Sequence, residues 1–155
     1  MKKLLLSLLT ACAFLNMSAT IAAEDFDRQI KARQAVMQLY AYNLGLLGAM
    51  AKGQAEYDAG QASAAAANLD ALVTMNNSTM WPMGSHMKAN PGKTWAKEEN
   101  WTNYPEAAEK FKALKTASAT MAAEAGNGLD AVRGAIGAIG ASCQGCHKAF
   151  RGSKN

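Results

Sequence analysis

Residues 129–151 read LDAVRGAIGAIGASCQGCHKAFR, and this stretch decides the fold class. Apolar or chemically special residues recur in it at every third or fourth position, which is typical of the buried face of an α-helix. These positions are Leu129, Val132, Ile136, Ile139, Cys143, Cys146 and Phe150. The preceding Gly-Asn-Gly at 126–128 separates the stretch from what comes before it. The sequence therefore ends in one long amphipathic helix.

Three further helices are predicted outward from this one, over 25–52, 57–76 and 105–125, because their apolar residues also step by three and four. Gly53 follows the first of them, where a helix stop is expected. Residues 78–103 carry Trp and Pro without periodicity and are predicted to be one long connection. The pattern favours an all-α, antiparallel four-helix bundle. A three-helix domain with one frayed segment is the alternative on periodicity alone.

The motif CQGCH at 143–147 indicates a covalently attached haem. Cys143 and Cys146 lie on adjacent turns of the helix, so both thiols can add to the vinyl groups along one edge of a porphyrin. His147 then directs its imidazole at the iron as an axial ligand. The cofactor expected from these residues is one haem c.

Other uses of the two cysteines are less compatible with the sequence. A thioredoxin-like pair would need a βαβ setting, which the pattern lacks. A zinc site would need two more ligands, yet His86 is the only other histidine and reads as a surface loop residue. A disulfide between the two cysteines would leave the adjacent histidine unexplained.

The N-terminus predicts export. Lys2 and Lys3 precede an apolar run over 4–15 that is too short to span a bilayer, and small residues follow it, so residues 1–23 are predicted to be a cleaved signal peptide. Cys12 leaves a lipoprotein signal as an alternative. The remaining domain, 24–155, is predicted to be periplasmic. Cleavage removes two of the 16 basic residues and none of the 12 acidic ones, so the net charge falls from +4 to +2, which argues against a nucleic-acid partner.

Taken together, these features resemble the cytochrome c′ family over essentially all of 24–155. The resemblance rests on Arg33-Gln34 in the first helix, on KGQ at 52–54, on Trp81, on GASC at 140–143 and on Arg151, four residues after the axial histidine. Phe150 departs from the family, which often has tyrosine there. The family is one of four-helix bundles with a haem near the end of the last helix.

The resemblance also implies roles for residues outside the motif. It implies that Arg33 and Gln34 lie on the haem propionate side, where a guanidinium suits a carboxylate. It implies that Met37 lies over the distal iron face. Trp81 would help to form the wall of the haem pocket, and Arg151 would modulate the proximal side.

Met37 leaves two hypotheses for function. If its thioether only packs over the haem, His147 is the sole protein ligand, and the open face admits nitric oxide or carbon monoxide. If the sulfur binds iron, the protein is a low-spin electron carrier. The first hypothesis is favoured, because an unligated methionine that fills a gap is the commoner structural state.

Other functional classes and the partners follow from the same residues. A peroxidase would need a distal His or Arg at the position of Met37, so no enzyme is expected. A helical binding module without haem is the other alternative, and it would require that the purified protein is colourless. The expected partners are redox proteins, and the family resemblance implies a homodimer through the first two helices, which Gly45 and Gly48 would permit.

Overall fold

The structure is a computed structural model that describes residues 25–153. The helices are α1 (Asp27–Ala51), α2 (Ala59–Thr74), the short α3 (Glu99–Thr102), α4 (Tyr104–Glu124) and α5 (Leu129–Phe150). The four predicted long helices are thus confirmed, with ends that differ by at most two residues. The predicted signal peptide lies outside the described residues. Among those residues, no helix is both long and apolar enough to cross a membrane.

The four long helices form an antiparallel bundle, in which α1 packs on α2, α2 on α4, α4 on α5 and α5 on α1. Segment 75–103 contacts the start of α1 and the end of α5, and it connects the end of α2 to the start of α4. These four ends therefore lie at the same end of the bundle, so each helix runs opposite to both of its neighbours. This topology agrees with the sequence prediction.

The opposite end of the bundle is joined by Tyr57. Its hydroxyl donates to the Ala125 carbonyl at 2.9 Å and accepts from the Gly128 amide at 2.9 Å. This ties the α1–α2 connection to the α4–α5 connection. Gly53 ends α1 with a positive φ of 71°, a conformation that glycine adopts without strain, as its place in the sequence predicted.

The core is built from small and medium-sized apolar side chains, which lets the helices approach closely. Its fully buried members include Leu47, Leu69, Met121, Val132 and Ile139, and they come from all four long helices. Hydrophobic burial across these faces is the main stabilising contribution to the bundle.

The buried stripe of α1 differs by one position from the predicted one over part of its length. Alternating steps of four and three from Phe26 predict Met37, Leu44 and Ala51 on the buried face, but Val36, Asn43 and Met50 are buried instead. An α-helix has 3.6 residues per turn, so a strict seven-residue repeat drifts around the helix. As a consequence, Met37 lies at the margin of the stripe and is 41% exposed.

Segment 75–103 is more ordered than the predicted irregular connection. It contains a 3-10 turn at Ser78–Met80 and the short helix α3. Its backbone also pairs with the residues that follow α5, through an isolated antiparallel bridge between Ala96 and Arg151. The connection therefore closes one end of the bundle, and this is the end at which the CQGCH motif lies.

Candidate haem site

Cys143 and Cys146 lie on the last turns of α5, both half-buried and both as free thiols. Cys143 packs against the apolar core. Burial raises the pKa of both thiols, because it disfavours the charged thiolate. The two side chains are separated by three positions on one helix, so they can make two thioether bonds to one planar group. No disulfide joins these two cysteines.

His147 follows directly and faces a groove of about 820 Å³, which is within the range of cofactor pockets. The groove is lined by the residues Gly140, Cys143, Gln144, His147, Lys148, Arg151, Gly152 and Ser153. Burial lowers the pKa of His147, and the charge of Arg151 lowers it further. The imidazole is therefore neutral at neutral pH, which is the form that binds a metal. Two thiols, a neutral imidazole and a groove fit the requirements of a c-type haem.

Helix α1 contributes Tyr40 beside the motif. Its hydroxyl donates to the Leu72 carbonyl at 3.2 Å. Burial, with a smaller contribution from the neighbouring Cys143, raises the pKa of Tyr40 to about 12. The steps of three and four along α1 predict Tyr40 only to be on the apolar face of this helix. Nothing in the sequence by itself pairs Tyr40 with Cys143, because the two residues meet only through the packing of α1 on α5.

This buried phenol predicts a loss of stability at alkaline pH. An unfolded tyrosine loses its proton near pH 10, so between pH 10 and 12 the unfolded state binds fewer protons and the free energy of unfolding falls. We expect a fall of about 1 kcal/mol per pH unit from this residue. Urea unfolding of wild type and Tyr40→Phe at pH 9 and pH 11 measures it.

The Tyr40→Phe variant should be the less stable of the two at pH 9, because it lacks the hydrogen bond to Leu72. Its disadvantage should shrink or reverse at pH 11. A constant difference between the two proteins at both pH values would contradict the assignment.

Arg33 is buried, with 4% of its surface exposed, and the 75–103 segment surrounds its guanidinium. Nη1 donates to the Met80 carbonyl at 3.3 Å and to Ser85 Oγ at 2.7 Å. Nη2 donates to the Ser85 carbonyl and, at 3.0 Å, to Thr94 Oγ1. Burial lowers the pKa of Arg33 to about 10, so it stays charged at neutral pH.

Four of the five N–H donors of this guanidinium are therefore directed at the protein. Among the described residues, the hydrogen bonds of Arg33 leave only Nε without an acceptor. A haem propionate, the partner implied by the family resemblance, would have to use that remaining donor.

Trp81 lies against Arg33, with the guanidinium carbon 4.7 Å from its ring centroid. Trp101 packs beside it at a centroid distance of 5.9 Å and donates from its indole nitrogen to the Trp81 carbonyl at 3.0 Å. The sequence predicts a surface loop position for His86, but its side chain is only 13% exposed and packs edge-on against Trp101. Trp81 thus belongs to a cation–aromatic cluster with Arg33 and Trp101.

Gln34 and Met37 continue the same helix. The Gln34 amide nitrogen donates to the Lys93 carbonyl at 2.8 Å, and Lys93 pairs with Asp27 at 2.6 Å. Gln34 therefore holds the same segment as Arg33. Met37, which the resemblance implies to be over the iron, is one turn before Tyr40 on α1 and is partly exposed.

The contact between segment 95–100 and the end of α5 was not foreseen from the sequence. The Lys97 amide donates to the Phe150 carbonyl at 2.9 Å, and the Asn100 side chain donates to the same oxygen at 2.9 Å. Lys97 Nζ donates to the Ala149 carbonyl at 3.1 Å. These donors satisfy carbonyl groups that the last turn of a helix leaves without partners.

Comparison with known proteins finds one family along almost all of the described chain. The family model described as cytochrome C′ matches residues 28–151. Cytochrome c-554 of Cereibacter sphaeroides is 36% identical over 129 residues, which cover 83% of this chain and 96% of that protein. Cytochrome c′ of the same species is 32% identical over 151 residues, which cover 97% of this chain and 98% of that protein.

Solved structures agree with these relatives. A cytochrome c′ from Rhodobacter Spheriodes superposes with a TM-score of 0.81 at 32% identity, covering 84% of this chain and 100% of that one. Similar structures of cytochrome c prime from Alcaligenes xylosoxidans include a ferrous variant with bound NO and a variant with bound carbon monoxide, with TM-scores of 0.72 and 0.68. A further similar structure, with a TM-score of 0.76, is that of a cytochrome c′ with an unusual ligand-controlled dimer dissociation.

Proposed function

Because the chain belongs to the cytochrome c′ family and carries covalently bound haem c, we propose that it is a periplasmic monohaem cytochrome that holds iron through His147 alone. In this proposal it carries electrons, binds nitric oxide or carbon monoxide, or does both. The observation that carries the proposal is the arrangement of Cys143, Cys146 and His147 at the end of α5, where Cys143 and His147 line the groove. Similar cytochromes that bind NO and carbon monoxide support it.

The residues of this chain have separable tasks in that function. Cys143 and Cys146 hold the haem to α5, and His147 supplies the neutral imidazole. The haem supplies an iron that changes oxidation state and accepts one small ligand on its distal side. Tyr40 is buried on α1, close enough to Cys143 to interact with it electrostatically. Arg33 and Gln34 hold segment 80–94 on α1, beside the edge where the family places the propionates.

The five-coordinate form is supported by what surrounds the motif. Among the described residues that follow His147, 148–153, none is methionine. Met37 on α1 is the candidate for a sixth protein ligand. Its side chain stands at the margin of the α1 stripe and is 41% exposed, so it can hinder a gas ligand without closing the face.

The second candidate function is a six-coordinate electron carrier with Met37 on the iron. The partial exposure of Met37 is compatible with this form, because a sulfur that is not enclosed by the core is available to a bound metal. A His/Met pair raises the reduction potential. In either form the chain is proposed to be a haem protein without catalytic residues of its own.

Location and assembly are part of the proposal. The basic and apolar N-terminal sequence supports export to the periplasm. A homodimer through α1 and α2 is supported by the exposed Leu39 and Tyr42 on α1. Redox proteins of the same compartment are the proposed partners, and no nucleic acid is among them.

The optical spectrum of the haem-loaded protein tests the coordination state. We expect a high-spin ferric spectrum and a ferrous form that binds carbon monoxide. Met37→Leu, which keeps the bulk but removes the sulfur, should leave the ferric spectrum unchanged. Met37→Ala should raise the affinity for carbon monoxide about tenfold or more, because it removes steric hindrance.

The same two variants decide between the candidates. A low-spin ferric spectrum with a sulfur–iron charge-transfer band that disappears in Met37→Leu would establish the six-coordinate carrier instead. A protein that is purified from the periplasm without colour would contradict both candidates.

A further inference from the structure

The chain leaves α5 directly into a short paired segment. Ala96 and Arg151 form an antiparallel bridge. The Gly152 amide donates to the Trp95 carbonyl at 2.7 Å, and the Lys97 amide donates to the Phe150 carbonyl at 2.9 Å. The backbone of Arg151 is extended, with φ −115° and ψ 130°, instead of frayed helix. Arg151 is thus fixed on both sides by backbone hydrogen bonds to segment 95–97.

Close packing reinforces this pairing. A Cβ atom placed on Gly152 would lie 2.5 Å from the sulfur of Met87 and 3.6 Å from the Trp95 carbonyl oxygen. The Met87 amide donates to the Ala96 carbonyl at 2.7 Å, so Met87 belongs to the same layer. A side chain at 152 would therefore require the flexible Met87 side chain to move out of this layer.

The paired segment is in turn anchored to α1 through one hydroxyl group. Thr94 Oγ1 accepts from Nη2 of Arg33 at 3.0 Å and from the Ala96 amide at 3.2 Å. Thr94 is buried, with 4% of its surface exposed. Hydrogen bonds therefore link α1 to Thr94 and Thr94 to Ala96. The backbone bonds of Trp95 and Lys97, on either side of Ala96, then link this segment to Gly152 and Phe150, which flank Arg151.

We propose that Arg33 and Thr94 are positioning residues that hold segment 94–97 against the end of α5 and so fix Arg151 on the proximal side of the haem. This inference rests on the proposed function, since Arg151 matters electrically only if His147 holds iron. The distal helix and the proximal charge are then coupled through the protein, independently of any contact between Arg33 and a propionate. Arg151 lines the groove with His147, so its position sets the electrostatic potential there.

The expected electrical effect follows from the sign of the charge. A fixed cation near the iron favours the ferrous state over the ferric state and raises the midpoint potential. Arg151 is exposed at the edge of the groove, and the pairing fixes its distance from His147. If segment 94–97 detaches, Arg151 is free to move away from the iron, and the effect of its charge there falls with distance and screening. Loosening the anchor should therefore lower the potential in the same direction as removing Arg151.

Thr94→Val tests the mechanical part, because it keeps the shape of the side chain and removes the hydroxyl. In the haem-loaded protein, hydrogen exchange at the Lys97 and Gly152 amides should become about tenfold faster, the loss expected for one buried hydrogen bond. Thr94→Ser keeps the hydroxyl and should exchange like wild type. Thr120→Val, on the exposed face of α4, is the matched control.

A double-mutant cycle with Arg151→Met tests the electrical part. Thr94→Val should lower the midpoint potential in wild type and have no further effect in the Arg151→Met background. An equal shift in both backgrounds, or unchanged exchange at both amides, would overturn the proposal. The optical spectrum of the wild type tests the haem assignment separately. A haem-loaded protein that lacks this coupling would therefore contradict this inference alone, and the proposed function would stand.

Discussion

Replacing both Cys143 and Cys146 with serine is expected to abolish covalent haem attachment, so that the purified chain has the mass of the polypeptide alone. Serine hydroxyls do not form stable thioether-like bonds to the vinyl groups, while the size of the side chain is almost unchanged. The two thiols are the free cysteines among the described residues, and both border the end of the bundle that holds the groove. Mass spectrometry of the denatured protein measures the loss directly.

The control for this change is Ser142→Ala, which alters the residue next to the motif but keeps its spacing. Ser142 only donates to the Ala138 carbonyl of its own helix, at 2.9 Å. It should carry one haem as wild type does. A double serine variant that still carries haem after denaturation would show that the attachment is not made through these two side chains.

Replacing Arg33 with methionine is expected to destabilise the protein by about 2–5 kcal/mol, because it leaves buried oxygen atoms without a charged donor. The affected acceptors are the carbonyl groups of Met80 and Ser85 and two hydroxyl groups. The contact with the Trp81 ring is lost as well. Urea unfolding, followed by helix circular dichroism, gives the change in the free energy of unfolding.

Arg28→Met is the matched control, since Arg28 is an exposed arginine of the same helix. It should change stability by less than about 0.5 kcal/mol. Arg33→Lys should be intermediate, because a single ammonium group cannot reach all four acceptors. If Arg33→Met were as stable as Arg28→Met, Arg33 would not hold segment 80–94, and its role would have to lie with the haem propionates instead.

Much of the bundle was predictable because helix periodicity is a local property. The steps of three and four residues located the four long helices, and Gly53 marked the end of α1. The pattern failed at the fine scale on α1, where the buried stripe contains Val36 in place of Met37. Which of two adjacent positions is buried depends on the neighbouring helices, and these are not visible in a local pattern.

The site was predictable only where one short motif carries it. Cys143, Cys146 and His147 are assigned by their spacing, and in the structure Cys143 and His147 line one groove, while Cys146 lies half-buried on the same last turns of α5. Arg33 was singled out by resemblance, but its hydrogen bonds to Ser85 and Thr94 were not foreseen. Those contacts join positions more than fifty residues apart, from a segment without periodicity.

By itself, the sequence determined that this is a helical haem protein. The amphipathic spacing and the CQGCH motif are both local signals, since each is defined by residues that lie a few positions apart. Only the tertiary structure decided what surrounds the site. Tyr40 comes to lie beside Cys143, Arg33 is buried under Trp81, and the chain after α5 pairs with segment 95–97. Each of these depends on how whole helices pack, and that packing is set by the sum of many apolar contacts across the bundle.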